Sequence, residues 1–232
     1  MRRCRGDFAQ ARWNASAREP QKPHYVHRFD AASGKWEVAR APKIALRIEV
    51  VDAETFVLQE GDQWINISLK RWPLDGIAIT ELTRSRCDYS GDSRYDPFLG
   101  RLLHGNSGIS RSSVNAYRVG TAGFSQMETG ESSRGYSKLG IALSADGRFF
   151  FHNRQQVDAR DLKRKLKAFP NLVLAATADL ALTAAEICDI ETEEVLRRWD
   201  YQVGAIGVSL GGEEVIVHDK DQDELVVYQV RP

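Results

Sequence analysis

Gly207-Val208-Ser209-Leu210-Gly211 has the GxSxG spacing that sets a serine nucleophile on a tight strand-to-helix turn, with an acid and then a histidine required further along the chain. His218 lies downstream, but the residues after Gly211 show no helix-forming pattern and are too few for the rest of a hydrolase sheet. The segment therefore reads as a strand ending in a Gly-Gly turn. Asp219, Asp221 and Asp223 match the first three ligand positions of an EF-hand loop, yet Glu224 and Val230 stand where a glycine and a bidentate glutamate are needed. A solvated hairpin turn is expected there instead. His24 and His27 fall on opposite faces of an extended strand and cannot share a metal. Cys4, Cys87 and Cys188 are far apart without CxxC spacing, which argues against a disulfide framework or structural zinc. No metal and no cofactor are expected.

A different set comprises His104-Gly105, Gly135-Tyr136 and Glu214, the last opening the apolar run Glu214-Val215-Ile216-Val217-His218. In order and spacing it resembles the His-Tyr-Glu constellation of ADP-ribosyltransferases of the poly(ADP-ribose) polymerase and diphtheria-toxin type. The resemblance implies an NAD-dependent enzyme. His104 would bond the ribose, Tyr136 would stack on nicotinamide, and Glu214 would stabilise an oxocarbenium-like transition state. This is the alternative to the leading expectation.

That leading expectation is binding. Arg84, Arg86, Arg94, Arg101, Arg111, Arg118 and Arg134 alternate loosely with Tyr89, Tyr95, Phe98, Tyr117, Phe124 and Tyr136, and Arg160, Lys163, Arg164, Lys165 and Lys167 form a second basic group. Guanidinium groups neutralise phosphates while aromatic faces stack on unpaired bases, so the mixture suits single-stranded RNA or DNA. The absence of a complete acid–base–nucleophile set favours a non-catalytic binding or assembly subunit that contacts a partner protein or RNA.

These residues need a scaffold, and the composition provides for one. The chain has 232 residues, 42% hydrophobic and 28% charged, with a formal net charge of zero, which is globular composition. No run of about 18 apolar residues suggests a membrane span. Residues 1–50 hold 11 Lys+Arg against 5 Asp+Glu. Residues 1–23 read as a basic leader, and the Arg-rich, acid-poor first 20 are consistent with a mitochondrial presequence. A soluble intracellular protein is expected, in the matrix if that leader is a presequence and otherwise in the cytoplasm.

Residues 24–82 read as a β-rich meander: two short strands around Asp30–Gly34, then Ile44–Val51, Thr55–Gln59 and Trp64–Leu69. Over 83–138 periodicity fails, and eleven Ser and eight Gly suggest an irregular insertion. Residues 139–232 read as an α+β part. Asp146-Gly147 marks a hairpin. Asp158, with Asp161 at N3, caps a helix whose Leu162, Leu166 and Phe169 share one face before Pro170. Residues 183–200 read two ways, since Thr183-Ala184-Ala185-Glu186 spells a capping box for a second helix while Ile187-Cys188-Asp189-Ile190 and Val195-Leu196 could flank a turn; the helix is the reading taken, and three closing strands follow. The expected fold class is α+β: a β meander, an insertion, then β-β-α-β-α-β-β-β. Residues 139–210 are also similar to the periplasmic domain of ExbD/TolR-type proteins. The hairpins at 28–38 and 206–230 resemble pieces of Kelch or WD-type propeller blades, although no regular period of about 40 to 50 residues links them.

Overall fold

The computed structural model describes residues 25–230 apart from 31–33, 41–44, 61–63, 75–77, 90, 107–112, 121–122, 132–140 and 210. The basic leader, with His24 and Cys4, lies outside the described residues. Among the described residues every regular element is a strand. A hairpin of β1 (Tyr25–Asp30) and β2 (Lys35–Arg40) comes first, followed by five antiparallel sheets.

The first sheet is β3 (Ala45–Val50), β4 (Thr55–Glu60), β5 (Trp64–Arg71) and β6 (Thr80–Tyr89). The second is β7 (Gly91–Asp96), β8 (Arg101–Asn106), β9 (Ser113–Gly120) and β10 (Gly123–Glu131). The third is β11 (Ile141–Leu143), β12 (Phe149–His152), β13 (Gln155–Asp158) and β14 (Asp161–Ala168). The fourth is β15 (Val173–Ala176), β16 (Leu180–Thr183), β17 (Glu186–Asp189) and β18 (Val195–Arg198). The fifth is β19 (Val203–Val208), β20 (Glu214–Asp219) and β21 (Glu224–Gln229).

Each sheet is an up-and-down meander, and the first strand of each touches the first strand of the next, from β3 through β7, β11 and β15 to β19. The result is a five-bladed β-propeller. The core lies between blades, so the second strand of a blade is covered on both faces and neighbouring side chains point into different interfaces. Leu102 packs with Val57, Ile67 and Leu69 of the first blade, while Leu103 packs with Ile141 and Phe150 of the third. Phe151, beside Phe150, faces Val173 and Ala181 of the fourth. Leu182 meets Val215 and Val217 of the fifth. The β1–β2 hairpin lays Val26 and Ala39 on Phe56, Leu58 and Trp72 of the first blade.

The α+β expectation is therefore overturned. The segment expected as a capped helix is the hairpin between β13 and β14: Asp158 Oδ1 accepts the Arg160 N–H at 2.8 Å, and Asp161 Oδ1 accepts that of Lys163 at 3.1 Å. Aspartate closes an Asx turn with the same chemistry that caps a helix. The capping box at Thr183 fails for the same reason. Its Oγ1 accepts the N–H groups of Ala185 and Glu186 at 3.1 and 2.9 Å, and the chain then turns into β17.

The supposed insertion contains most of β6 and all of the second blade. Three of its glycines, Gly91, Gly105 and Gly130, answer to packing: at Gly105 a Cβ would stand 2.7 Å from Ile141 Cδ1 and 2.8 Å from His152 Nε2 of the next blade. Blade starts at 45, 91, 141, 173 and 203 are unevenly spaced, which accounts for the missing sequence period. The likeness to propeller hairpins holds for 206–230, which fall in the fifth blade.

Candidate functional site

Two regions combine exposure with unspent chemistry. The first lies along the inner strands, where residues of β7, β11, β15 and β19 and the turns after them line a partly open cavity of about 690 Å³. Its wall is mostly apolar, with Pro97, Leu143, Ala175 and Val208 among the lining residues. Two serines in the wall have their hydroxyl oxygens engaged by turns. Ser144 Oγ donates to Asp146 and accepts the Phe149 N–H, and Ser209 Oγ accepts the Glu214 N–H at 2.9 Å.

Arg94 is the cationic residue of that wall. Its Nη1 donates to Glu49 Oε1 at 3.2 Å, while Arg47 Nε holds the same oxygen at 2.8 Å and also reaches Asp92. Burial, and then the neighbouring Arg47 cation, hold the Arg94 guanidinium below its ordinary value against the pull of Glu49. Arg47 thus has two carboxylates, and Arg94 has the longer share of one.

The second region is the outer rim of the third and fourth blades. Arg160, Lys163, Arg164 and Lys165 are exposed on or beside β14, and Arg197 and Arg198 on β18. All four residues of β18 are exposed, and the strand is the outer edge of its sheet. Leu166, Val195 and Leu196 are exposed among these charges. Lys167 Nζ reaches the Glu191 carbonyl and comes within 4.0 Å of Glu193, joining β14 to the turn before β18. Arg198 pairs with Glu186 at 3.6 Å but stays 80% exposed.

Solved structures share this architecture. Periplasmic gluconolactonase PpgL of Pseudomonas aeruginosa is 17% identical with a TM-score of 0.55, over 89% of this chain and 75% of that one. A chain of a mitotic checkpoint complex crystal structure is 13% identical with a TM-score of 0.58, over 97% and 83% respectively. At such identities the likeness shows a propeller fold alone. No family model matches the chain, and no curated protein does.

Within this propeller the candidate residues scatter. His104 sits on β8, fully buried, with Nδ1 2.9 Å from Ser93 Oγ. Glu214 opens β20 in the fifth blade, where it accepts from Gln229 Nε2 at 2.7 Å. Tyr136 lies outside the described residues, as do Arg111 and Arg134. Arg101 is buried, bonded to Asp96 and to the Ala159 carbonyl. Arg84 pairs with Glu60 at 2.9 Å. Arg118 is exposed on β9, and Arg86 lies on β6.

Ser209 follows β19 in the hairpin to β20, with its N–H bonded to the Glu214 carbonyl. Of the three aspartates, Asp219 Oδ1 accepts the Asp221 and Gln222 N–H groups, Asp221 accepts that of Gln202, and Asp223 pairs with His218 at 2.9 Å. Among the described residues no group of three or more His, Cys, Asp or Glu side chains could hold a metal. Glu49, Arg197 and Arg198 were not singled out from sequence. Asp189, before the exposed Val195–Arg198 run, is the signal that could have found the last two, since its Oδ1 accepts the Glu191 and Thr192 N–H groups and closes the turn that leads into that strand.

Proposed function

We propose that this protein is a non-catalytic assembly subunit that binds a partner protein through the basic outer rim of its third and fourth blades. The observation that carries the reading is β18, an edge strand that among the described residues pairs with β17 alone and has every side chain exposed. Such an edge offers unpaired backbone donors and acceptors to an added strand. Arg197 and Arg198, with the β14 cations, select an acidic segment, and Leu166, Val195 and Leu196 supply apolar contact.

A protein is favoured over nucleic acid because β14 and β18 contain no aromatic residue on which a base would stack, and because Arg101 of the candidate set is committed internally. The likeness to a chain of a multi-protein complex supports the same reading. No helix among the described residues is long and apolar enough to cross a membrane.

The test is affinity purification of the full chain with quantitative mass spectrometry after nuclease treatment, comparing wild type with Arg197→Glu/Arg198→Glu. Proteins with acidic segments should be retained by wild type and lost from the variant. Identical protein profiles, or tight salt-sensitive binding of oligouridine that the variant loses, would overturn the reading.

A further inference from the structure

Going beyond contact at the rim, we infer that the axial cavity is a binding site for a small organic acid with an apolar body, whose carboxylate is held by Arg94. The cavity's volume of about 690 Å³ falls within the range of roughly 300–1,000 Å³ typical of small-molecule sites. Its walls come from four blades, and the cavity is partly open, so an occupant has walls on several sides and one open approach.

The wall fixes the chemistry of the occupant. Ser144 donates its hydroxyl hydrogen to Asp146, and Ser209 Oγ accepts the Glu214 N–H, so of the two serines only Ser209 keeps a hydroxyl hydrogen for an occupant. The apolar stretch through Leu143, Ala175 and Val208 calls for a hydrocarbon body. Arg94 supplies the polar end. Apart from the bond to Glu49 its N–H groups meet no acceptor among the described residues, and a guanidinium fork matches the two oxygens of a carboxylate. Arg47 is already engaged by two carboxylates and takes the shorter bond to Glu49, which leaves Arg94 as the cation with donors to give.

Room is available as well. At Gly207, in the β19 wall, an added Cβ meets nothing within 4 Å. A side chain placed there enters open space at the cavity rather than packed protein.

The experiment is isothermal titration calorimetry of the full chain with octanoate, 1-octanol and acetyl-Ala-Val-Leu as its free acid. Octanoate should bind at least about tenfold tighter than octanol, the scale of a hydrogen bond to a charged group. In Arg94→Gln that preference should disappear, and in Arg94→Lys, which keeps the charge without the fork, it should be reduced but present. Gly207→Phe should abolish binding of both compounds with an unchanged melting temperature. The Arg197→Glu/Arg198→Glu variant should bind octanoate as wild type does, so the outcome is separable from that of the rim.

The inference is overturned if octanoate shows no binding at millimolar concentration, if octanol matches it, or if the preference survives Arg94→Gln. It is also overturned if Gly207→Phe still binds, or if the tripeptide acid binds more tightly than octanoate, which would assign the cavity to a partner's C-terminus. Should Arg94→Gln fail to fold, the Arg94→Lys titration decides: an undiminished acid preference there counts against the guanidinium fork.

Discussion

Arg101 Nε lies 3.1 Å from Asp96 Oδ2 with both side chains buried, and the far side of the same guanidinium donates to the Ala159 carbonyl of the next blade. Asp96 Oδ1 in turn accepts the Phe98 and Leu99 N–H groups at 3.0 and 3.2 Å. One ion pair thus shapes the β7–β8 turn and ties the second blade to the third. Removing the cation strands a buried carboxylate, a change that typically costs about 3–5 kcal/mol. Arg101→Met should lower stability by that order in urea unfolding, whereas Arg118→Met, at an exposed position on β9, should change it by less than about 0.5 kcal/mol.

His152 gives the fold an acid sensitivity. It is fully buried on β12, and neither ring nitrogen meets a hydrogen-bond partner among the described residues. Burial, and then the charge of nearby His104, lower its pKa to about 4. Because the unfolded chain takes up this proton near pH 6.5 and the folded chain only near 4, the contribution is fully present above about pH 6.5. It is then lost as pH falls toward 4. Between pH 7 and pH 5 the loss from this one group is about 2 kcal/mol. His152→Leu should flatten the pH dependence of the unfolding midpoint over that interval. An equally steep decline in the variant would assign the sensitivity to other groups.

Two glycines should respond unequally to the same substitution. A Cβ at Gly130 would come within 2.8 Å of the Leu162 carbonyl carbon and closer still to its oxygen, whereas at Gly207 it meets nothing within 4 Å. The first clash is with backbone of the neighbouring blade and cannot be relieved by a rotamer change. Gly130→Ala should therefore destabilise by about 1–3 kcal/mol, and Gly207→Ala should stay within about 0.5 kcal/mol of wild type, both read from thermal unfolding.

These packing relationships also explain what the sequence conveyed. The hairpins around Asp146-Gly147 and across 215–230 are legible because turn residues stand between apolar runs, and Gly147 takes φ of 71° at its turn. The helix expected from Asp158 and the capping box at Thr183 mislead because a side-chain oxygen that accepts N–H groups two and three residues on serves a tight turn as well as a helix start. In β14, Leu162 is buried at the blade interface while Leu166 is 37% exposed, so spacing that fits a helix face belongs to an outer strand with less to bury. The second blade is obscured by its serine and glycine content, although Gly105 and Gly130 sit where a Cβ would collide with the third blade. For the cavity, Arg94, Leu143, Ala175 and Gly207 stand far apart in the chain, and only the meeting of successive inner strands assembles them.

Lys70 and Glu60 offer a test of how the first blade tolerates buried charge. Both are 1% exposed, with Lys70 Nζ 3.5 Å from Glu60 Oε1 and also paired to Glu81. Glu60 is held further by Arg84 at 2.9 Å and by the Ser68 hydroxyl at 3.2 Å. Lys70→Met removes one of two cations from a desolvated carboxylate, so the remaining charge is under-compensated and the single variant is destabilised. Neutralising that carboxylate in Glu60→Gln/Lys70→Met relieves the imbalance while keeping the amide within reach of Ser68. The double variant should be more stable than the sum of the two singles implies, with a coupling of about 1–3 kcal/mol in a denaturant double-mutant cycle. Strict additivity would show that Arg84 and Ser68 alone satisfy Glu60, and that Lys70 is retained for its pairing with Glu81.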